Sequence, residues 1–245
     1  MTTLVDVGRQ RFAETWALQR RIHDAVSRGE ERDAWIVVEH EPVVTLGRNA
    51  KKDHLLLSKE MLAARGVDCL EIERGGDVTY HGPGQLVVYP IMRLERFREV
   101  VPVVSAMEAA AIATCARYGI EATRWEKHRG VYAGENQICA IGISVRQMTT
   151  MHGLAFNVST DLDYDRLITP CGIRERGVTS LERELGRSVD FEEAKAVLLD
   201  SLAREFDVTL SEGAKRRSRS ANGAPSPVRA STALAYARSA QRDKS

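Results

Sequence analysis

Twelve residues, Arg74 to Gln85, constrain the fold more than any other stretch of the chain. They read R-G-G-D-V-T-Y-H-G-P-G-Q, so four glycines and one proline surround polar side chains, among them Asp77, Tyr80 and His81. Glycine allows the backbone to take positive φ or to approach a ligand closely, and proline makes a turn rigid. A plain hydrophilic hairpin loop would explain a single Gly-Gly pair, but this concentration of glycine around His and Tyr predicts a binding loop.

Hydrophobic periodicity around this segment predicts a mixture of strands and helices. The predicted strands cover Ala34 to Val38, Val43 to Leu46, Gln85 to Ile91, Gln137 to Val145 and His152 to Val158. The predicted helices cover Arg11 to Val26, Val101 to Tyr118 and a run that opens at Asp190, where Glu193 completes a capping pair. Strands clustered in mid-chain with helices around them predict an α+β domain.

Composition indicates a soluble protein. Hydrophobic residues make up 43% of the chain and charged residues 28%, which is ordinary for a globular domain. No apolar run approaches the roughly 18 residues that a membrane span needs, so we expect no membrane partner. Residues 1–7 have no basic region ahead of an apolar stretch, and we therefore expect a cytoplasmic protein.

The last 33 residues differ in composition from the rest. Residues 213–245 hold eight Lys/Arg and one Asp, a net charge of +7, which leaves −6 on residues 1–212. Rich in Ser, Ala and Arg, this stretch lacks the apolar side chains that would offset the entropy of ordering it. We predict a catalytic domain over 1–212 and a basic disordered tail over 213–245. A nucleic-acid-binding arm is the less favoured interpretation, and we expect no nucleic-acid partner.

Four scattered cysteines, without a C-x-x-C pair, predict reduced thiols rather than a metal centre: Cys69, Cys115, Cys139 and Cys171. Cys171 stands apart because Pro170 and Gly172 place it on an uncrowded turn. A thiolate there can attack a thioester and hold the acyl group covalently. By itself Pro-Cys-Gly is weak, since most such cysteines are only turn residues. His152 is likewise either a base or, more often for a lone His, a structural residue.

Taken together, these segments resemble the lipoyl(octanoyl) transferase family. Arg74 to Pro90 matches R-G-G-x-V-T-Y-H-G-P-G-Q-L followed by Y-P, and His152 to Asn157 matches H-G-hydrophobic-A/S-x-N. Pro170 to Ile173 matches P-C-G-I, and the segment that begins at Glu39 matches a further family segment. The resemblance covers roughly residues 4 to 208, with all motifs in the family's order.

The resemblance implies a fold, a reaction and a site. The fold is that of the biotin/lipoate ligase catalytic domain, a mixed β-sheet with flanking helices. In the implied reaction Cys171 takes octanoate as a thioester from acyl carrier protein. A lysine on a lipoyl domain of a 2-oxoacid dehydrogenase complex or of the glycine cleavage protein then accepts it, without cofactor or metal. The implied acyl-binding residues are Arg74, Gly75, Gly76, Asp77, Val78, Thr79, Tyr80, His81, Ala140, Ile141, Gly142, Gly153, Leu154 and Ala155.

The chain departs from the family at one catalytic position. The family places a lysine directly before the I-[CA]-[AS]-[IL]-G strand, where it lowers the pKa of the nucleophile and carries protons; here that residue is Gln137. His81, His152 or Lys127 could take over the proton transfer. Alternatively, the chain is a catalytically weakened homologue that binds acyl groups or carrier proteins. A lipoate–protein ligase, which activates its acid with ATP, is the third alternative.

Overall fold

The computed structural model describes residues 1–51, 54–168 and 176–213, without the side chains of residues 164–166, so that Cys171 lies outside the described residues. Eleven strands are present among them: β1 (Thr2–Gln10), β2 (Ala34–His40), β3 (Val43–Leu46), β4 (Asp68–Glu71), β5 (Val78–His81), β6 (Gln85–Ile91), β7 (Thr123–Trp125), β8 (His128–Ala133), β9 (Asn136–Arg146), β10 (Thr149–Asn157) and β11 (Leu210–Glu212). The α-helices are α1 (Phe12–Ser27), α2 (Lys59–Ala64), α3 (Val100–Arg117), α4 (Leu181–Leu185) and α5 (Phe191–Glu205).

Two sheets organise these elements. The larger has eight strands in the order β11-β1-β2-β6-β10-β9-β8-β7, and the smaller has three in the order β4-β3-β5. Strand β1 runs parallel to both β2 and β11, whereas the pairs from β2 to β7 are antiparallel. The fold is therefore a mixed sheet with flanking helices, as the sequence predicts.

Both faces of the large sheet are buried, and side-chain alternation assigns each residue to a face. Trp35 and Val37 of β2 pack into a core that also contains residues of α3 and α5. Ile36 and Val38, between and beyond them, pack on the opposite face with residues of α1. Because β2 is covered on both sides, its sequence is a continuous apolar run rather than an alternating one.

The elements with strong apolar signals agree with the predicted ones to within a few residues, whereas several short or polar strands have no counterpart in the prediction. Strand β1 is one of these: residues 2–10 include Asp6, Gly8, Arg9 and Gln10. It is a strand because it pairs with β2 and β11, and this long-range pairing overrides its weak local preference.

The expectation that no segment is long enough to span a membrane needs correction. Residues 97–117 are long and apolar enough to cross one, by length and composition alone. Most of these residues form helix α3. In the structure its Val103, Met107 and Ala110 are buried in the core that also contains Trp35 and Val37 of β2, which is called the main core below. Its apolar character therefore serves packing within the domain.

The third core lies beneath the small sheet and shows that the segment Arg74 to Gln85 is not one loop. Val78 and Tyr80 of β5 pack with Val44 of β3 and Leu62 of α2. Their neighbours in sequence, Thr79 and His81, point to the opposite side, as alternation requires. The segment thus contributes a strand as well as turns.

Strand β11 is the last element that the structure describes, and Gly213 follows it with its N–H donating to the carbonyl of Leu4 at 2.7 Å. Residues 214–245 lie outside the described residues, so the disordered tail stays a prediction. We expect deletion of 214–245 to change the melting temperature by less than about 2 °C, since the tail has no apolar face to pack. A thermal melt of both proteins checks this, and a large fall would show that the tail belongs to the folded domain.

Candidate active site

A narrow cavity of about 50 Å³ opens on the α1 face of the large sheet. Its floor consists of small residues that are direct partners in the antiparallel register of β9 and β10, Ala140 with Ala155 and Gly142 with Gly153. Larger side chains at the two alanines would fill the space above the sheet, whereas a Cβ atom at Gly153 would collide with the carbonyl oxygen of Val88 in the neighbouring strand β6. Tyr89, Ile72 and Phe12 line the apolar part of the cavity.

The Arg74-Gly75-Gly76 turn covers this floor. The N–H of Gly75 donates to the carbonyl of Ile143 at 3.0 Å, which ties the turn to β9. A Cβ atom at Gly142 would lie 3.1 Å from the carbonyl oxygen of Gly75, a tight contact that would push the turn away from the floor by a few tenths of an ångström. Arg74 is buried and donates to the hydroxyl and carbonyl oxygens of Thr45, at 2.9 and 2.7 Å from Nη2. A fixed cation therefore lies at the cavity wall.

A relay of side chains fixes the tautomer of His81, another lining residue. Asn157 donates from Nδ2 to the carbonyl of Thr179 at 2.9 Å, so its Oδ1 accepts from Nε2 of Gln85, also at 2.9 Å. The Oε1 atom of Gln85 then accepts from Nδ1 of His81 at 2.7 Å. Proton donation by Nδ1 leaves Nε2 of His81 with the lone pair. Burial, with the charges of neighbouring groups, lowers the pKa of His81 to about 3, so the ring is neutral at physiological pH.

Of the acyl-binding residues that the resemblance implies, the structure brings eleven together around the cavity: Arg74, Gly75, Gly76, Thr79, His81, Ala140, Ile141, Gly142, Gly153, Leu154 and Ala155. The other three do not line this cavity. Asp77 makes an ion pair with His54 and accepts from the N–H of Val78 at 2.8 Å, and Val78 packs into the third core. Tyr80 packs into the third core as well, but it also lines a second, neighbouring cavity. Period-two alternation along β5 is the sequence signal that separates Val78 and Tyr80 from Thr79 and His81 at the first cavity.

Gln137 lines a second cavity of about 30 Å³ that shares Thr79, Ala140 and Ala155 with the first. In a regular strand Gln137 and Ala140 would face opposite sides. A β-bulge, at which Val131 pairs with Cys139 but Tyr132 with Gln137, brings them to the same side. The Nε2 atom of Gln137 donates to the hydroxyl of Tyr132 at 3.1 Å.

The three described cysteines are unsuited to nucleophilic attack. Burial raises the pKa of Cys139 well above its ordinary value, and it raises the pKa of Cys115 to about 12. Burial also raises the pKa of Cys69, which lies in the third core away from the cavity. A thiol with a raised pKa is scarcely ionised at neutral pH and is a poor nucleophile.

Several lining residues have no counterpart among the implied site residues: Phe12, Ile72, Tyr89, Arg129 and His152. Phe12 belongs to the apolar face of a predicted helix. Periodicity alone does not distinguish a residue that packs in the core from one that lines a cavity, so the sequence did not identify Phe12 as a site residue. Its ring stacks on His81 with 6.1 Å between centroids. Arg129 is exposed at the mouth of the cavity, and its guanidinium lies 3.6 Å from the carboxylate of the buried Glu108. Glu108 is 21 positions earlier in the chain, so no local sequence pattern indicates this pair.

Gly76 is the position in the Arg74-Gly75-Gly76 turn that favours glycine for its backbone conformation, because its φ is +85°. We expect Gly76→Val to cost about 1–2 kcal/mol of stability through left-handed strain. Transfer should fall further, by up to about 10²-fold, because a displacement of about 1 Å at a reacting site has that effect.

Gly119 supplies a matched control, since its φ is +73° and a Cβ there would meet nothing within 4 Å. The variant Gly119→Val should therefore lose stability while it keeps transfer. Melting temperature and single-turnover transfer rate, measured on both variants, separate strain from site geometry. Normal transfer by Gly76→Val would remove Gly76 from the site.

Comparison with known proteins shows which family the chain belongs to. Residues 11–203 match the family profile described as the lipoyl protein ligase A/B catalytic domain. The octanoyltransferase of Koribacter versatilis is 42% identical over 81% of this chain and 81% of its own length. That of Bacteroides fragilis is 46% identical over 80% and 91%, and that of Maridesulfovibrio salexigens 41% identical over 84% and 96%.

Solved structures share the fold at low sequence identity. A lipoate-protein ligase A bound with ATP superposes with a TM-score of 0.70 at 16% identity, covering 86% of this chain and 88% of that one. A bipartite lipoate protein ligase from Thermoplasma acidophilum superposes with a TM-score of 0.62 at 16% identity, covering 86% and 85%.

The mixed sheet, the cavity above its small-residue floor and the matched profile define a lipoyl protein ligase A/B catalytic domain. More narrowly, the chain belongs to the octanoyltransferase family, and it is an acyltransferase.

Proposed function

We propose that the cavity binds an octanoyl group and that the enzyme passes this group from acyl carrier protein, by way of a thioester on Cys171, to a lysine of a lipoyl domain. The observation that carries the proposal is the cavity itself: a floor of Ala and Gly with apolar walls accepts an alkyl chain, and Arg74 lies at its wall.

Cys171 is proposed as the nucleophile on two grounds. Its motif matches the family nucleophile, and each of the three described cysteines has a raised pKa. A lipoyl domain is proposed as the acceptor because relatives are named octanoyltransferases and one structural neighbour was solved in a study of a ligase and its E2 lipoyl domain.

Intact mass spectrometry tests the function directly. Mixing the enzyme with octanoyl carrier protein should add one octanoyl group to the enzyme, and the group should leave when a lipoyl domain is added. A protein that binds the carrier while the donor thioester survives would be the weakened homologue that Gln137 suggests. A requirement for ATP with free octanoate would instead identify a ligase.

A further inference from the structure

The first cavity has an open side and a closed end, and the exposure of its lining residues distinguishes the two. Arg129 and Gly76 are exposed, whereas Gly153 of β10 and Tyr89 of β6 are buried. An acyl group that is attached to a large carrier can enter only from the exposed side, so its methyl end points towards the buried end. This inference rests on the proposed function and concerns which residues limit the length of the acyl chain.

One row of residues across the large sheet leads from the open side to the closed end. The register places Gly142 of β9 opposite Gly153 of β10. The pairing of β10 with β6, in which Leu154 lies opposite Val88, brings Tyr89 next to Gly153 in the same row. Both glycines leave the backbone bare, so the tyrosine ring is the first side chain along this row. Two strand spacings cover about 10 Å, which is close to the extended length of an eight-carbon chain.

A buried hydrogen bond holds Tyr89 in place. Nδ1 of His40 donates to the carbonyl of Gln10 at 3.2 Å, so Nε2 has the lone pair and accepts from the hydroxyl of Tyr89 at 2.8 Å. Burial lowers the pKa of His40 to about 4 and raises the pKa of Tyr89, so both groups are neutral at physiological pH. If the ring moved aside, His40 would lose its buried partner, which is unfavourable. Tyr89 is therefore a rigid end wall.

Phe12 and Ile72 close the space beside the Tyr89 ring. All three are buried in the core on the α1 face of the large sheet. The ring of Phe12 packs against that of His40, with 5.1 Å between centroids. The N–H of Ile72 donates to the carbonyl of Leu46 at 2.9 Å, which ties Ile72 to the end of β3. A chain longer than the row would have to displace side chains that are already closely packed.

We propose that Tyr89, with Phe12 and Ile72 beside it, sets the upper limit of acyl-chain length at about eight carbons. The methyl end of an octanoyl group reaches the Tyr89 ring, and two further methylene groups find no space. A shorter chain fits but leaves part of the apolar wall uncovered, and each methylene group that is not buried lowers affinity about fourfold. The closed end therefore selects against both longer and shorter chains.

A competition between donors measures this preference. Hexanoyl, octanoyl and decanoyl carrier proteins are mixed in equal amounts with the enzyme and a lipoyl domain, and mass spectrometry gives the early acyl composition of the lipoyl domain. The product ratio equals the ratio of the kcat/KM values, so it does not depend on how much of the enzyme is folded. In the wild type, octanoyl product should exceed decanoyl product by about tenfold.

Tyr89→Leu shortens the side chain at the closed end. It should raise the ratio of decanoyl to octanoyl product by about tenfold, because two more methylene groups can then be buried. This variant leaves Nε2 of His40 without its partner, which puts the fold at risk. Ile72→Ala opens the same end while keeping that hydrogen bond, so it should shift the ratio in the same direction and decides the question if Tyr89→Leu does not fold.

Ile22→Ala is the matched control for Ile72→Ala. Ile22 lies on α1, is buried in the same core and is not among the residues that line either cavity. This variant should lower the melting temperature without changing the product ratio. An unchanged ratio in Ile72→Ala, an equal shift in Ile22→Ala, or equal octanoyl and decanoyl products in the wild type would overturn the proposal. Absence of every acyl product in the wild type would overturn the proposed function instead.

Discussion

Replacement of Cys171 by serine is expected to abolish the octanoyl-enzyme adduct. The thiolate is the attacking group, and a serine hydroxyl without an adjacent strong base is almost fully protonated at neutral pH. Intact mass spectrometry after mixing with octanoyl carrier protein should show the adduct on wild type and none on the variant. Hydroxylamine should remove the wild-type adduct, as it does with thioesters.

Cys139→Ser is the control for this experiment. Cys139 is fully buried in the main core, out of reach of a carrier-bound thioester, and burial raises its pKa, so this variant should still form the adduct. Persistence of the adduct in Cys171→Ser would refute the covalent mechanism. The acyl-binding homologue would then be the better interpretation.

Replacement of Gln137 by lysine is expected to accelerate both half-reactions and to shift the pH dependence of acylation downward. A free thiol with a pKa near 8.5 is only a few per cent ionised at pH 7, and a neighbouring ammonium that lowers it to about 7 makes roughly half of it thiolate. The gain is on the order of tenfold. The cavity of about 30 Å³ beside Gln137 offers room for the longer side chain.

Gln137→Met separates charge from length, because methionine has a long side chain without an ammonium group. It should not accelerate acylation. An unchanged rate in Gln137→Lys would mean that another group already carries the proton.

Much of this fold can be predicted from local sequence. The apolar runs of β2 and β6 specify buried strands, and the periodic faces of α1, α3 and α5 specify the helices, because burial of those side chains dominates the folding free energy. The glycines of the segment from Arg74 to Gln85 likewise predict turns in which the backbone takes positive φ or lies close to neighbouring groups. The family motifs are contiguous stretches, so they too are visible before any fold is known.

Only the tertiary structure decided how these parts meet. The β-bulge on β9 turns Gln137 toward Ala140, whereas strict alternation would have placed it with Cys139 in the core. The left-handed His152 reaches Glu73 and Gln19, which lie 79 and 133 positions earlier in the chain. Contacts at such separations leave no periodic trace in the sequence, because they depend on strand register and on which helix covers the sheet.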